Sequence, residues 1–270
     1  MAKTVRKTVA VTKTMAVAAA VVLLGVVEGA PAAAQAGPAG PVEIALAVHG
    51  GKPIVPVLAP DGGELWFVLS TGTAVTVLSE STAARLGDAP ALTLGGVSVS
   101  MEGSQTVPDE RLTNGGRTLD GMVGVNTLSR FEMLVDVPGG RLVLAPVGRE
   151  VSWEGVALSE PVRLRVLHGI VLSLDVELNG KSYPAMLDLG TPLLLVNQAV
   201  MDGARVEGNR ARLQVGSATF PDLAVEVSDH PVIQMFSPAG AGFVLVGGSL
   251  AQECVIVVSW VHAELRTCVR

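Results

Sequence analysis

The sequence predicts an all-β protein built as two consecutive, similar units with a few short helices. Three observations carry that expectation. Val, Leu, Ala and Gly dominate, and the apolar runs are short and punctuated by Gly- and Pro-containing turns, which is the pattern of many short strands. One unusual stretch occurs twice. Trp66-Phe67-Val68-Leu69 leads into Ser70-Thr71-Gly72-Thr73, and Ala185-Met186-Leu187 leads into Asp188-Leu189-Gly190-Thr191, with Asp188 lying 118 residues after Ser70. The segments around the two copies also follow one order. An internal repeat constrains the fold more than any single residue does.

In the first unit, residues 42–48 alternate as a strand and His49-Gly50-Gly51 turns the chain. Residues 54–58 form the next strand. Pro60-Asp61-Gly62-Gly63 is a strong hairpin signal, and residues 65–69 return to deliver Ser70. The second unit repeats this with residues 162–167, His168-Gly169, residues 170–178, the hairpin pair Asn179-Gly180, and residues 183–187 delivering Asp188. After each turn a short apolar strand, residues 74–78 or 193–196, runs to a good helix N-cap, Ser79 or Asn197. The first of these helices covers residues 80–86 and stops at Gly87. Next come Ala91-Leu92-Thr93-Leu94-Gly95-Gly96 and Ala211-Arg212-Leu213-Gln214-Val215-Gly216 as strand pairs. An apolar-apolar-Gly step follows in each unit, Met122-Val123-Gly124 and Leu245-Val246-Gly247. A closing hairpin ends each, residues 131–136 with 141–144 and residues 254–258 with 264–267. Paired in the register the repeat suggests, the second hairpin brings Cys254 and Cys268 together on adjacent strands.

The first residues read as an address. Lys3, Arg6, Lys7 and Lys13 form a basic head, residues 15–27 an apolar run, and Ala34-Gln35-Ala36 a small-x-small cleavage site. The apolar run falls short of the roughly 20 residues that a spanning helix needs. The expected organisation is a signal peptide over residues 1–36, an N-terminal lobe over 37–147, a connection over 148–161 containing Trp153, and a C-terminal lobe over 162–270. The mature chain is then exported, periplasmic or extracellular, with no stable membrane insertion. Removing residues 1–36 takes four basic residues and Glu28, leaving 15 Lys and Arg against 24 Asp and Glu, a net charge of −9. With no basic patch in the sequence, nucleic acid is excluded as a partner. In an exported chain the pair Cys254 and Cys268 suggests a disulfide, with two buried thiols as the alternative.

The two turns and their surroundings resemble the aspartic proteases of the pepsin and retropepsin type. The resemblance rests on an apolar strand, an Asp-Thr-Gly-like turn, a second strand and short helix, and the apolar-apolar-Gly step. It rests also on Leu119-Asp120-Gly121-Met122-Val123-Gly124-Val125-Asn126 leading to Val135-Asp136-Val137-Pro138-Gly139-Gly140-Arg141, and it spans residues 41–270 as two copies. It implies two retropepsin-like closed β-barrel lobes related by a pseudo-twofold axis, whose turns meet at the lobe interface. In that family each turn supplies an aspartate. Two carboxylates about 3 Å apart share one proton, so one serves as base toward a water and the other as acid toward the scissile carbonyl.

Here the first turn has Ser70 in place of that aspartate, and the second keeps Asp188 but has Leu189 in place of threonine. Only Asp188 carries over as a catalytic-type residue. Thr71, Gly72, Thr73, Gly190, Thr191, Gly124 and Gly247 carry over as supports of the motif. The threonine hydroxyl that locks the family's turns together survives at Thr71 alone. The substrate-covering flap is absent or displaced to residues 102–117. The resemblance therefore implies a proteolytically impaired monomer that binds peptide or protein between its lobes; an active aspartic endopeptidase using Asp188 with a substituted partner, or in a homodimer, is the alternative.

Other chemistries find less support. A serine nucleophile needs a base and an orienting group, and His49, His168, His230 and His262 do not supply them beside Ser70: the first two sit at equivalent turns, His230 in a loop, and His262 in a hairpin turn. The four histidines lack metal-ligand spacing, and no cofactor or metal is expected. Trp66, Trp153 and Trp260 read as core or lobe-contact residues. Tyr183, on the strand that delivers Asp188, is not placed like a flap tyrosine.

Overall fold

The computed structural model describes residues 40–87, 90–147, 155–169, 171–237 and 240–269. The signal peptide, most of the leader, residues 148–154 of the connection and Trp153 lie outside the described residues. The protein is mostly β, with 47% strand and 16% helix, in two lobes and a sheet that both lobes share.

The N-terminal lobe is a curled sheet. Its centre is the hairpin Lys52–Leu58 with Glu64–Leu69, paired from Ile54↔Val68 to Leu58↔Glu64. Beside Glu64–Leu69 runs Gly121–Val123 in parallel, and beside that Val77–Ser79 in antiparallel pairing. The strand expected over 74–78 thus begins three residues later and ends on Ser79, whose hydroxyl accepts the Thr82 N–H and caps the helix Glu80–Leu86. The same order recurs in the C-terminal lobe. Val171–Leu178 pairs with Lys181–Leu187, Val244–Val246 runs parallel to the latter, and Leu194–Val196 leads to Asn197, which caps Gln198–Ala204.

Only the C-terminal lobe closes into a barrel, which corrects the expectation of two closed lobes. There Arg210–Val215 and Ala218–Val227 form a long hairpin. One end of it pairs with Leu194–Val196 and the other with Val171–Leu178 through Glu177↔Gln214 and Leu178↔Leu213. In the N-terminal lobe the equivalent hairpin is Thr93–Leu94 with Val97–Ser98, two residues a side. Its chain leaves the sheet before Gln105–Val107 pairs with Val77–Ser79, so the ring stays open there.

The expected strands over 42–48 and 162–167 each break once. Val42–Ala45 and Ala47–His49 are separate strands because the Leu46 N–H turns aside to the Gly140 carbonyl. Val162–Arg163 and Arg165–Leu167 are separated likewise by Leu164, whose N–H reaches the Ala263 carbonyl. In each lobe the first half joins the shared sheet and the second half stays with its lobe.

The closing hairpins do not close their own lobes. They leave and pair with each other, Met133 opposite Val258 and Leu134 opposite Val257. This makes a six-stranded sheet with Val42–Ala45 at one edge and Val162–Arg163 at the other. One face feeds the main core: Ile44, Met133, Val135, Leu142, Leu144, Ile256, Val258 and Leu265 are all buried in one cluster with residues of both lobes. Burial of this cluster is the main stabilising term, at roughly 1.5–3 kcal/mol per fully buried large aliphatic side chain. Cys254 and Cys268 flank the last hairpin and are disulfide-bonded. No helix among the described residues is long and apolar enough to cross a membrane. Both facts are compatible with an exported protein.

Candidate functional site

The two turns meet where the lobes touch. In each lobe a strand from the central hairpin delivers the first turn residue, and the neighbouring parallel strand holds its backbone: the Ser70 N–H bonds the Val123 carbonyl at 3.1 Å and the Asp188 N–H bonds the Val246 carbonyl at 2.9 Å. The glycine steps complete the frame. Just past Gly124, the Val125 N–H bonds the Thr73 carbonyl at 2.8 Å; just past Gly247, the Gly248 N–H bonds the Thr191 carbonyl at 2.6 Å. Serine and aspartate therefore occupy matching positions in matching frames.

Across the interface Ser70 Oγ donates to Asp188 Oδ1 at 3.2 Å. That oxygen also accepts the Gly72 N–H at 3.1 Å and the Gly190 N–H at 2.9 Å. The second oxygen, Oδ2, accepts the Thr191 hydroxyl at 2.9 Å. Thr73 Oγ1 lies 2.8 Å from Ser70 Oγ and is placed to donate to it. Close approach explains the glycines: a Cβ at Gly72 would lie 2.3 Å from Asp188 Cγ, and one at Gly190 would lie 2.7 Å from Ser70 Oγ. Ser70 is fully buried while Asp188 keeps partial exposure.

The lock between the turns is one-sided. Thr71 is buried; its hydroxyl donates to the Leu187 carbonyl at 3.0 Å and accepts the Leu189 N–H at 3.0 Å. Leu189, at the matching position, is fully buried with no polar group to return the contact.

Two residues that the sequence did not place at the site, Lys52 and His230, feel the charge of Asp188. Lys52 begins the strand after the His49-Gly50-Gly51 turn, on a hairpin of the N-terminal lobe that leans onto the other lobe. Gln252 Nε2 donates to the Gly51 carbonyl at 3.0 Å, and a Cβ on Gly51 would lie 2.9 Å from Pro192 Cβ. Burial pushes the Lys52 ammonium below its usual pKa, and the charge of Asp188 opposes that shift in part. His230, read from sequence as a loop residue, is the buried N-cap of the helix Pro231–Phe236. Its Nδ1 accepts the Val232 N–H at 3.3 Å. Burial lowers its pKa as well, again against the pull of Asp188. His-Pro at a helix start is a legible signal, but the electrostatic link of His230 to Asp188 depends on how its helix packs within the C-terminal lobe, and that of Lys52 on how the lobes meet.

The segment expected to hold a displaced flap, residues 102–117, contains the strand Gln105–Val107, the helix Asp109–Leu112 and a hairpin pairing Thr113–Asn114 with Arg117–Thr118. That hairpin rests on the Lys52 hairpin. His49 Nε2 lies 2.7 Å from the Asn114 carbonyl, and Asn114 Nδ2 donates to the Gly50 carbonyl at 3.3 Å. His168 and His262 sit at turns, the first at φ 51°. Trp66 is half-buried under the Arg117 guanidinium, and Trp260 and Tyr183 are buried. No cluster of three or more His, Cys, Asp or Glu able to hold a metal occurs among the described residues. No protein-family model matches this chain, and no curated protein matches it.

Proposed function

We propose that this chain is an exported protein with an aspartic-protease-like two-lobe arrangement that binds peptide or protein between its lobes and does not cleave it. The observation that carries this reading is Ser70 Oγ standing 3.2 Å from Asp188 Oδ1, at the position where a second carboxylate would share a proton. A serine hydroxyl donating to that oxygen stabilises the turn pair, but it does not protonate a scissile carbonyl oxygen as a carboxylic acid does. Oδ1 is already engaged by three donors, from Ser70, Gly72 and Gly190, which leaves Oδ2 as the oxygen available to a ligand. The one-sided lock at Thr71 supports the same reading: the scaffold that joins the turns persists while the acid pair is incomplete.

A peptidase assay from acid to neutral pH with a broad peptide library tests the proposal. The expected result is no turnover by the native chain, and a gain of activity in Ser70→Asp. Pepstatin-sensitive turnover that disappears in Asp188→Asn would overturn it in favour of an active aspartic peptidase.

A further inference from the structure

The sequence contains two Asn-Gly pairs, Asn114-Gly115 and Asn179-Gly180. Such a pair can change without an enzyme. The glycine nitrogen, unhindered by a side chain, attacks the amide carbon of the preceding side chain, and ammonia leaves behind a five-membered imide. The fold treats the two pairs differently. Asn179 is held at three points: its N–H donates to the Arg212 carbonyl at 2.9 Å, its Oδ1 accepts the Arg212 N–H at 2.9 Å, and its Nδ2 donates to the Ala204 carbonyl at 3.1 Å. Asn114 has one side-chain bond, from Nδ2 to the Gly50 carbonyl at 3.3 Å, and its Oδ1 accepts none among the described residues. Gly115 is exposed at the tip of the hairpin that pairs Thr113–Asn114 with Arg117–Thr118. His49 lies beside it: a Cβ on Gly115 would be 3.8 Å from His49 Cε1, whereas one on Gly180 would meet nothing within 4 Å. His49 Nε2 is 2.7 Å from the Asn114 carbonyl oxygen. A carbonyl oxygen only accepts, so Nε2 carries the proton and donates.

We propose that Asn114 is a self-modifying site, where His49 activates the Asn114-Gly115 peptide and the side-chain amide becomes a carboxylate in the folded protein. When the Gly115 N–H is deprotonated, negative charge builds on the Asn114 carbonyl oxygen. A donor on that oxygen stabilises the charge and makes the nitrogen a readier nucleophile. Water or a buffer base takes the proton. The Gly115 nitrogen bonds to Asn114 Cγ, the Cγ–Nδ2 bond breaks, and Nδ2 leaves as ammonia with a proton from water. One water then opens the imide. At Cγ it leaves aspartate; at the backbone carbonyl it leaves isoaspartate, with the chain running through Cγ. The net change is one water in and one ammonia out. Either product removes the Nδ2 donor from the Gly50 carbonyl and adds a negative charge beside it, which loosens the hairpin from the turn at His49-Gly50-Gly51.

The test incubates the full folded chain in mildly alkaline buffer and follows amide loss by mass spectrometry in the tryptic peptides 112–117 and 166–181. Each further hydrogen bond that must break before attack slows it by a few-fold, so Asn114 is expected to convert roughly ten-fold faster than Asn179. In denaturant the bonds of the fold are gone, and the two sites are expected to convert at similar rates. His49→Phe removes the donor and is expected to slow Asn114 by about five-fold while Asn179 keeps its rate; His49→Gln, whose amide still donates, retains most of the native rate. If the Phe variant unfolds, Asn179 rises to its rate in denaturant and His49→Ala serves in its place. The comparison of the two sites in the native chain needs no variant. In Asn114→Asp, amide hydrogen exchange over residues 113–118 is expected to rise several-fold. Asn179 converting as fast as Asn114 in the folded chain overturns the proposal. An unchanged Asn114 rate in a folded variant without the donor overturns the role of His49, and unchanged exchange in Asn114→Asp overturns the loosening.

Discussion

At the scale of single residues, Thr71 carries the most buried polar connection between the turns, beside the bonds that Ser70 and Gly72 give to Asp188. Its hydroxyl joins the Leu187 carbonyl and the Leu189 N–H, and all three residues are buried. Thr71→Val keeps the shape but strands both backbone groups, so a loss of about 2–4 kcal/mol is expected in denaturant unfolding. Leu189→Thr adds a hydroxyl on the other side, and a shift in the opposite direction would show that the lock can be rebuilt. His230 gives a pH dependence. Its folded-state pKa lies below the ordinary value of about 6.5, because burial disfavours the cation and outweighs Asp188. The unfolded chain therefore binds the proton more readily. Its contribution is fully present above about pH 6.5 and is lost as pH falls below that value toward the lowered folded pKa. His230→Asn keeps a capping side chain without the titration and is expected to flatten the fall in melting temperature between about pH 6.5 and 5. Ser70, Asp188 and the glycines beside them could be read as a matched pair because the repeat aligns them. Lys52 could not, since its counterpart in the second copy is Val171 and nothing in the repeat says that one hairpin leans across the interface.

Among the elements, the hairpins show where sequence pattern is sufficient and where it is not. Asn179-Gly180 and Asp61-Gly62 mark their turns because those residues accept positive φ, 49° and 80° in the first pair and 82° at Gly62. Ser79 and Asn197 mark their helices through side-chain oxygens that cap them. The breaks at Leu46 and Leu164 carry no such signal. Both are apolar residues inside alternating runs, and only the competition between two sheets for one strand splits them. The final hairpin adds a covalent element. The disulfide closes a loop with a sequence separation of 14, and its removal in Cys254→Ser, Cys268→Ser is expected to cost roughly 3 kcal/mol by the loop-entropy account. Comparing guanidinium midpoints of the oxidised protein and the double variant measures this, and a negligible difference would show that the hairpin needs no tie.

Over the whole molecule, the all-β class and two-lobe plan were legible because strand length, turn chemistry and an internal repeat all pointed one way. Closure was not. One lobe forms a barrel and the other stays open because two hairpins of similar sequence differ in length, ten residues in Ala218–Val227 against two in Val97–Ser98. The shared sheet was also hidden, since a pattern that marks a hairpin does not say which sheet receives it. That sheet decides where strain on the chain is borne. The earliest described strand, Val42–Ala45, and the last, Glu264–Thr267, both belong to it, while Ser70 and Asp188 belong to the turns of the lobes. Strain applied through Val42–Ala45 or Glu264–Thr267 is therefore borne first by the shared sheet and not by the turns that carry Ser70 and Asp188.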